Sequence, residues 1–234
     1  MPTIAFSNLA IMLLPLIVVG YFYSKWADEP YEIAWATLRM IVQLLMIGFV
    51  LTYLFSINSW LLGAAVILFM TIVASWIVMR STVDKSWAHF FQILIVIFVA
   101  GTINLLLVLY AVMQLDPLYQ PKFMIPIAGM IYANAMNVLA LFIERLESEL
   151  KDHEYEIARS IAFKAAMIPQ INTFLAVGLV SLPGMMTGQI LSGVDPLIAV
   201  RYQIVVMAMV LGSAGISIIF YCILVQRQRT KWKP

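Results

Sequence analysis

Seven times this chain runs through about twenty consecutive apolar positions, roughly 4–24, 35–55, 60–79, 90–114, 123–143, 169–191 and 197–225. A helix needs about 20 such residues to cross the hydrocarbon core of a bilayer, and only helices and closed barrels can pair every backbone amide there. The pattern predicts an all-α polytopic membrane protein with seven transmembrane helices, forming a single transmembrane domain over 1–234. Hydrophobic residues make up 63% of the chain and charged residues 11%, far from the roughly even balance of a soluble domain. No basic residue precedes the first run and no small-residue cleavage site follows it, so it reads as a retained span rather than a signal peptide.

The basic residues set the expected orientation, because Lys and Arg are retained on the cytoplasmic side. With the N-terminus outside, Lys25, Arg80, Lys85, Arg145, Lys151, Arg159, Lys164, Arg227, Arg229, Lys231 and Lys233 all fall on inner connections or the tail. Only Lys122 and Arg201 fall outside, and Arg39 lies within the second span. An outside N-terminus and a cytoplasmic C-terminus follow. The tryptophans at 26, 35, 60, 76, 87 and 232 sit near span ends, where indole rings favour the interface. The outer connections are short, and Ser56 to Ser59 carries no charge. The chemistry is therefore expected within the membrane or at the cytoplasmic face.

That face carries a charged segment, 144–168, between the fifth and sixth spans. It holds Arg145, Glu147, Glu154, Glu156 and Arg159, with Leu146, Leu150, Ile157 and Ile161 at helical spacings. An amphipathic helix, or two short ones, is expected there, either as a docking element for a cytoplasmic partner or as a solvated connection. Glu147 and Lys151, four apart, are placed to support each other.

Within the spans, Arg39 and Gln43 share one face, and an ionisable group at such depth either snorkels or has a function. Met130, Asn134 and Asn137 share a face of the fifth span, next to Met136, and their amides serve either helix packing or a cation route. The stretch Ser181-Leu182-Pro183-Gly184-Met185-Met186-Thr187-Gly188-Gln189 interrupts the sixth span. Pro183, Gly184 and Gly188 are expected to break the helix, and Met185, Met186 and Gln189 to face a transport pathway. Thioether sulfur suits soft cations, so Met185 and Met186 are candidate transient metal contacts, with core packing as the plainer role. Asp195-Pro196 reads as an N-cap and first position of the last helix, with Asp195 also placed to act as an exit-side carboxylate.

His89 and His153 stand apart from any ligand-spaced partner and read as solvated. The single cysteine, Cys222, excludes an internal disulfide and a cysteine metal cluster. No catalytic residues are assigned. None of the eleven glycines is followed by Lys, so there is no P-loop, and no Ser/His/Asp set can be placed. Any nucleotide-driven transport would need ATP and Mg2+ bound by another polypeptide.

The run Ala176 to Met207, centred on Leu182-Pro183-Gly184-Met185-Met186-Thr187-Gly188-Gln189, resembles the signature of the Fet-type iron-export ABC permeases, whose plant relatives are aluminium-tolerance permeases. The likeness extends to Leu38-Arg39-Met40-Ile41-Val42-Gln43-Leu44-Leu45 and to Asn134-Ala135-Met136-Asn137. It implies a homodimeric permease in the cell membrane, working with a separate cytoplasmic ATPase and exporting iron or a related metal cation. In that setting 144–168 would be the coupling segment. The chain departs from the family pattern there, since Ile168-Pro169 follows a shorter link without glycine. A nucleotide-sugar or other organic-solute permease, a membrane scaffold or sensor, and a stand-alone channel are the rival readings.

Overall fold

The computed structural model describes residues 5–57, 59–117 and 119–229, and the tail residues Lys231, Trp232 and Lys233 lie outside them. Nine α-helices account for most of the described chain: α1 (Phe6–Ile11), α2 (Leu13–Trp26), α3 (Glu32–Ser56), α4 (Trp60–Ser81), α5 (Trp87–Leu106), α6 (Pro121–Glu149), α7 (Tyr155–Ala176), α8 (Gly184–Leu191) and α9 (Pro196–Arg229). They fall into two units, Met1–Ile57 and Asn58–Pro234.

In the first unit, α2 and α3 form a hairpin whose turn passes through Asp28 at φ 59°. The Tyr23 hydroxyl donates to Glu32 Oε2 at 2.6 Å and ties the two helices near that turn. Gly20 faces Ile33 across the pair. Arg39 and Gln43 both lie exposed on α3.

The second unit is organised around α6, which packs against α4, α5, α7 and α9. Ala128, Ile131, Ala135, Leu139, Phe142 and Ile143 of α6 are fully buried, and they form its contact surface. At 29 residues the helix is about 43 Å long, more than the roughly 30 Å of the hydrocarbon core, so it continues well past one boundary. Close approach of α5 to α6 depends on Gly101, where a Cβ would lie 2.2 Å from Tyr132 Cε1. The Tyr132 hydroxyl meets Thr102 Oγ1 at 3.1 Å beside this crossing. Ala158, Ala162 and Ala166, spaced by four, line the buried side of α7 and let it pack closely on α6.

Several buried polar groups are matched within a helix or between helices. Thr71 and Ser75 donate to carbonyls one turn back on α4, at 2.8 Å each. Asn104 Nδ2 of α5 donates to the Met209 carbonyl at 2.9 Å, and Asn134 Nδ2 of α6 donates to the Val210 carbonyl at 2.6 Å and contacts Ser213 Oγ at 3.2 Å. Two amides thus fasten α5 and α6 to successive residues of α9. Helix–helix bonding is the role Asn134 fulfils in the structure.

Among the described residues, six helices are long and apolar enough to cross a membrane: Ser7–Trp26, Glu32–Ser56, Trp60–Ser81, Trp87–Val112, Pro121–Glu149 and Pro196–Leu224. The expected sixth span, 169–191, is not one helix. The segment 144–168 is likewise not a separate surface element, because α6 continues to Glu149 and α7 begins at Tyr155. The reason is local: Leu150 to Glu154 is too short to form its own helix, so the helical periodicity on either side joins the neighbouring spans. α7 falls short in hydropathy because Glu156, Arg159, Lys164, Gln170 and Asn172 punctuate it.

Candidate functional site

α7 ends at Ala176, and the chain then turns through Val177 to Pro183. Gly178 adopts φ 82°, a conformation that strains a side chain, and its amide donates to the Ser181 carbonyl at 2.9 Å. Pro183 is the N-cap of α8 and Gly184 its first residue, so these two restart a helix that was already broken at Val177. Gly188 lies inside α8. The helix closes on Gly193 at φ 92°, with the Val194 amide donating to the Gln189 carbonyl at 3.0 Å, a glycine C-terminal motif. Asp195 then caps α9: its Oδ1 accepts from the Leu197 amide at 2.8 Å, and Pro196 takes the first position.

α8 has no fully buried residue and packs on α9. Its two faces look into different spaces. Met185 and Gln189, four apart, line a cavity of about 320 Å³ together with Met130 of α6 and Met209 of α9. Met113, just beyond the six-residue π-helical extension of α5 (Leu107–Val112), completes a set of four thioethers on this cavity, with Lys122 and Tyr202 also on its wall. The Gln189 Oε1 is buried and accepts no hydrogen bond. Such an orphan acceptor is costly, and it is a group to be explained by a ligand or by a water. Met186, by contrast, faces a separate groove of about 400 Å³, beside Phe174, Gln203 and Met207. Gln203 is 6% exposed, and its Oε1 is likewise without a partner.

The residues expected on a pathway are therefore only partly brought together. Met130, Met185 and Gln189 share one cavity, and Met186 does not. Asn134 is held by α9, Met136 is half-buried against the core, and Asn137 and Asp195 are exposed. Sequence reasoning missed Met113, Met209, Lys122 and Gln203. Nothing in the sequence separates the two methionines from the other thirteen, whereas Gln203 and Lys122 are polar residues at helix starts and carried a weak signal. Among the described residues, no group of three or more His, Cys, Asp or Glu could hold a metal.

The charged segment lies at the opposite end of the second unit. Arg145 Nη2 contacts Glu149 Oε1 at 2.6 Å, and His153 Nε2 lies 3.4 Å from Glu149 Oε2. Glu147 Oε2 accepts from the Val83 amide at 2.7 Å, so it braces the α4–α5 turn, a partner the sequence spacing did not single out. Arg159 pairs with Glu156 and stacks over the Tyr155 ring at 5.6 Å. Glu154 is the exposed N-cap residue of α7. His89 is buried at 6% exposure, contrary to expectation, because the α4–α5 turn folds back over it: Nδ1 lies 3.0 Å from the Asp84 carbonyl and Nε2 2.9 Å from the Tyr221 hydroxyl. The Ser86 amide, against partial burial and with help from the Ser86 hydroxyl and His89, holds the Asp84 carboxyl below the usual carboxylate range.

The model of one family, described as Uncharacterised protein family (UPF0014), matches the chain over residues 6–163 and 155–229. The chain belongs to this family. The probable iron export permease protein FetB of Escherichia coli K12 is 32% identical to it, over 94% of this chain and 89% of that one. The UPF0014 membrane protein slr1647 of Synechocystis is 35% identical, over 84% and 82%, and the protein ALUMINUM SENSITIVE 3 of Arabidopsis thaliana is 31% identical, over 89% and 81%. No solved structure matches the chain. The two UPF0014 segments overlap at the first turns of α7, where the link from α6 is short. The family confirms the resemblance read from the Pro-Gly-Met-Met run, and with the apolar helices it makes this chain a multi-pass membrane protein.

Proposed function

We propose that this chain is the permease subunit of an ABC-type exporter for iron or a related metal cation, with ATP and Mg2+ bound by a separate cytoplasmic ATPase. One observation carries the reading beyond family membership. The Pro-Gly-Met-Met run that carries the resemblance opens a short helix whose Met185 and Gln189, the latter with an unpartnered oxygen, line a cavity with three further thioethers. A cavity of sulfur and amide donors without carboxylates suits brief, weak contact with a soft or borderline cation, as passage requires and storage does not. Lys122 on the same wall opposes retention of a cation.

The orientation in this reading rests on the placement of charge. Arg80, Lys85, Arg145 and Arg159 lie at or near helix ends and turns away from the cavity, and the reading takes that end as cytoplasmic and the α8 cavity as outer. α7 runs antiparallel to α9, with Phe163 and Lys164 near Cys222 and Phe174 near Val200. On this reading the apolar second half of α7 and the α8 segment count together as one broken crossing, giving seven with the N-terminus outside and the C-terminus inside. The α6–α7 link, with Arg145, Glu154, Glu156 and Arg159, is then the surface that receives the ATPase. A homodimer is part of the same proposal, in which the partner subunit covers the exposed Arg39 and Gln43 face of α3.

The test is reconstitution of the purified chain with its co-purifying P-loop ATPase in liposomes, measuring ATP hydrolysis and flux with ferrous iron, copper(I) and a nucleotide sugar. Metal-stimulated hydrolysis with metal flux is expected. Flux that persists after the ATPase is removed would establish a channel instead, and stimulation by the nucleotide sugar alone would establish an organic solute.

A further inference from the structure

A pocket of about 330 Å³ lies at the C-terminal end of α4 and the start of α5, on the side of the second unit far from the α8 cavity and, resting on the orientation proposed above, facing the cytoplasm. Its walls combine Arg80, Lys85 and Ser86 with Trp76 and Trp87, over a floor of Met79 and Phe90. The indoles of Trp76 and Trp87 are 61% and 69% exposed, and each packs edge-on against Phe90, at 6.3 Å and 5.8 Å between ring centroids. These are the two ends of apolar helices that stop at Ser81 and begin at Trp87, so the pocket straddles the level where hydrocarbon meets headgroups.

Lys85 is held in place. Its Nζ donates to the Met79 and Arg80 carbonyls at the C-terminus of α4, which fixes an ammonium at the pocket's polar rim. Ser86 caps α5, accepting from the His89 amide at 3.2 Å, and its hydroxyl hydrogen remains to be donated. Asp84, an acidic residue of the same turn, lies outside the lining. Its carboxylate accepts from the Ser86 amide at 2.8 Å and lies 3.8 Å from His89 Nδ1, so it is turned toward the start of α5.

We propose that this pocket binds the headgroup of an anionic phospholipid from the cytoplasmic leaflet. Arg80, Lys85 and the Ser86 hydroxyl receive the phosphate, and Trp76, Trp87 and the apolar floor take the glycerol and first acyl carbons. Fixed basic groups at this level are the recognised chemistry for anionic lipid headgroups. The apolar half of the lining selects a lipid over free phosphate, which has nothing to place against Trp76, Met79 and Phe90. Because the α4–α5 turn is joined to the C-terminal end of α6 through Val83 and Glu147, a bound lipid would also steady that turn.

The experiment is native mass spectrometry of the full chain released from nanodiscs of phosphatidylglycerol mixed with phosphatidylcholine, alongside competition by inorganic phosphate. Preferential retention of phosphatidylglycerol is expected, with a loss of about fivefold in Arg80→Gln and a further loss of similar size in the double variant with Lys85→Gln. Arg80→Lys should retain most of the preference. Lys85→Gln also removes a cap from α4, and Arg80 has a contact of its own within the protein, so the deciding comparison is Arg80→Lys with Arg80→Gln: the charge-keeping variant should hold the preference that the neutral one loses, whatever either does to the thermal midpoint in phosphatidylcholine alone. Equal retention of both lipids, or unchanged preference in Arg80→Gln, would overturn the proposal. Displacement by millimolar inorganic phosphate would also overturn it, reducing the pocket to a simple anion site.

Discussion

The imidazole Nε2 of His89 lies 2.9 Å from the hydroxyl of Tyr221, joining the first turn of α5 to α9 across 132 positions of sequence. The other ring nitrogen faces the Asp84 carbonyl at 3.0 Å, which can only accept, so a neutral ring carries its proton on Nδ1 and accepts the tyrosine hydroxyl at Nε2. Both side chains are buried, and Tyr221 also packs edge-on against Phe142 of α6. One imidazole thus holds the α4–α5 turn, α5 and α9 in register.

Tyr221→Phe keeps the ring and removes the donor. It should destabilise the protein by about 1–3 kcal/mol, because Nε2 is left buried without a partner. Thermal unfolding in detergent reads this, and an unchanged midpoint would mean that water replaces the hydroxyl without cost.

Gly101→Ala should cost about 1–3 kcal/mol through overpacking, since the new methyl meets Tyr132 at 2.2 Å and that ring is buried between helices. The same measurement on Gly129→Ala, where nothing lies within 4 Å, should show a neutral or slightly stabilising effect. Equal effects at the two positions would contradict the close α5–α6 crossing.

Adjacent methionines should behave differently. Met185→Leu and Gln189→Leu should each lower metal-stimulated ATPase activity by about tenfold, the equivalent of losing one weak contact of about 1.4 kcal/mol, whereas Met186→Leu should leave it within twofold. Met186 faces the other groove, so similar losses in all three variants would argue for disruption of α8 rather than for a site.

The two ends of α8 make opposite demands on glycine. Gly193→Ala should destabilise by about 1–2 kcal/mol because of its φ of 92°, while Gly188→Ala, inside the helix with open space around it, should stabilise by about 0.5–1 kcal/mol. Limited proteolysis near 178–193 should rise in the first variant and fall in the second. A fall in both would show that Gly193 is not held in the left-handed conformation.

The apolar run lengths alone determined that this is a helical membrane protein, and they located all six long apolar helices among the described residues, to within a few residues at every end but the C-terminus of α6. The Asp195-Pro196 cap was legible too, because capping depends on neighbours in sequence. The Pro-Gly-Met-Met run marked the family, yet the break it was expected to cause falls at Val177 to Leu182, set by Gly178 and the end of α7 packing, with Pro183 opening the next helix. The fate of 144–168 combined both influences: the short link at 150–154 divides it between α6 and α7, and burial of Ala158, Ala162 and Ala166 against α6 holds its second half in the long helix α7. What only the tertiary structure decided is which side of each helix faces protein. In a soluble helix the buried stripe is apolar and the rest polar, so the sequence discloses it. In a bilayer the lipid is as apolar as the core, and a lipid-facing methionine is indistinguishable in sequence from Met113, Met130 or Met209 lining the cavity beside Gln189.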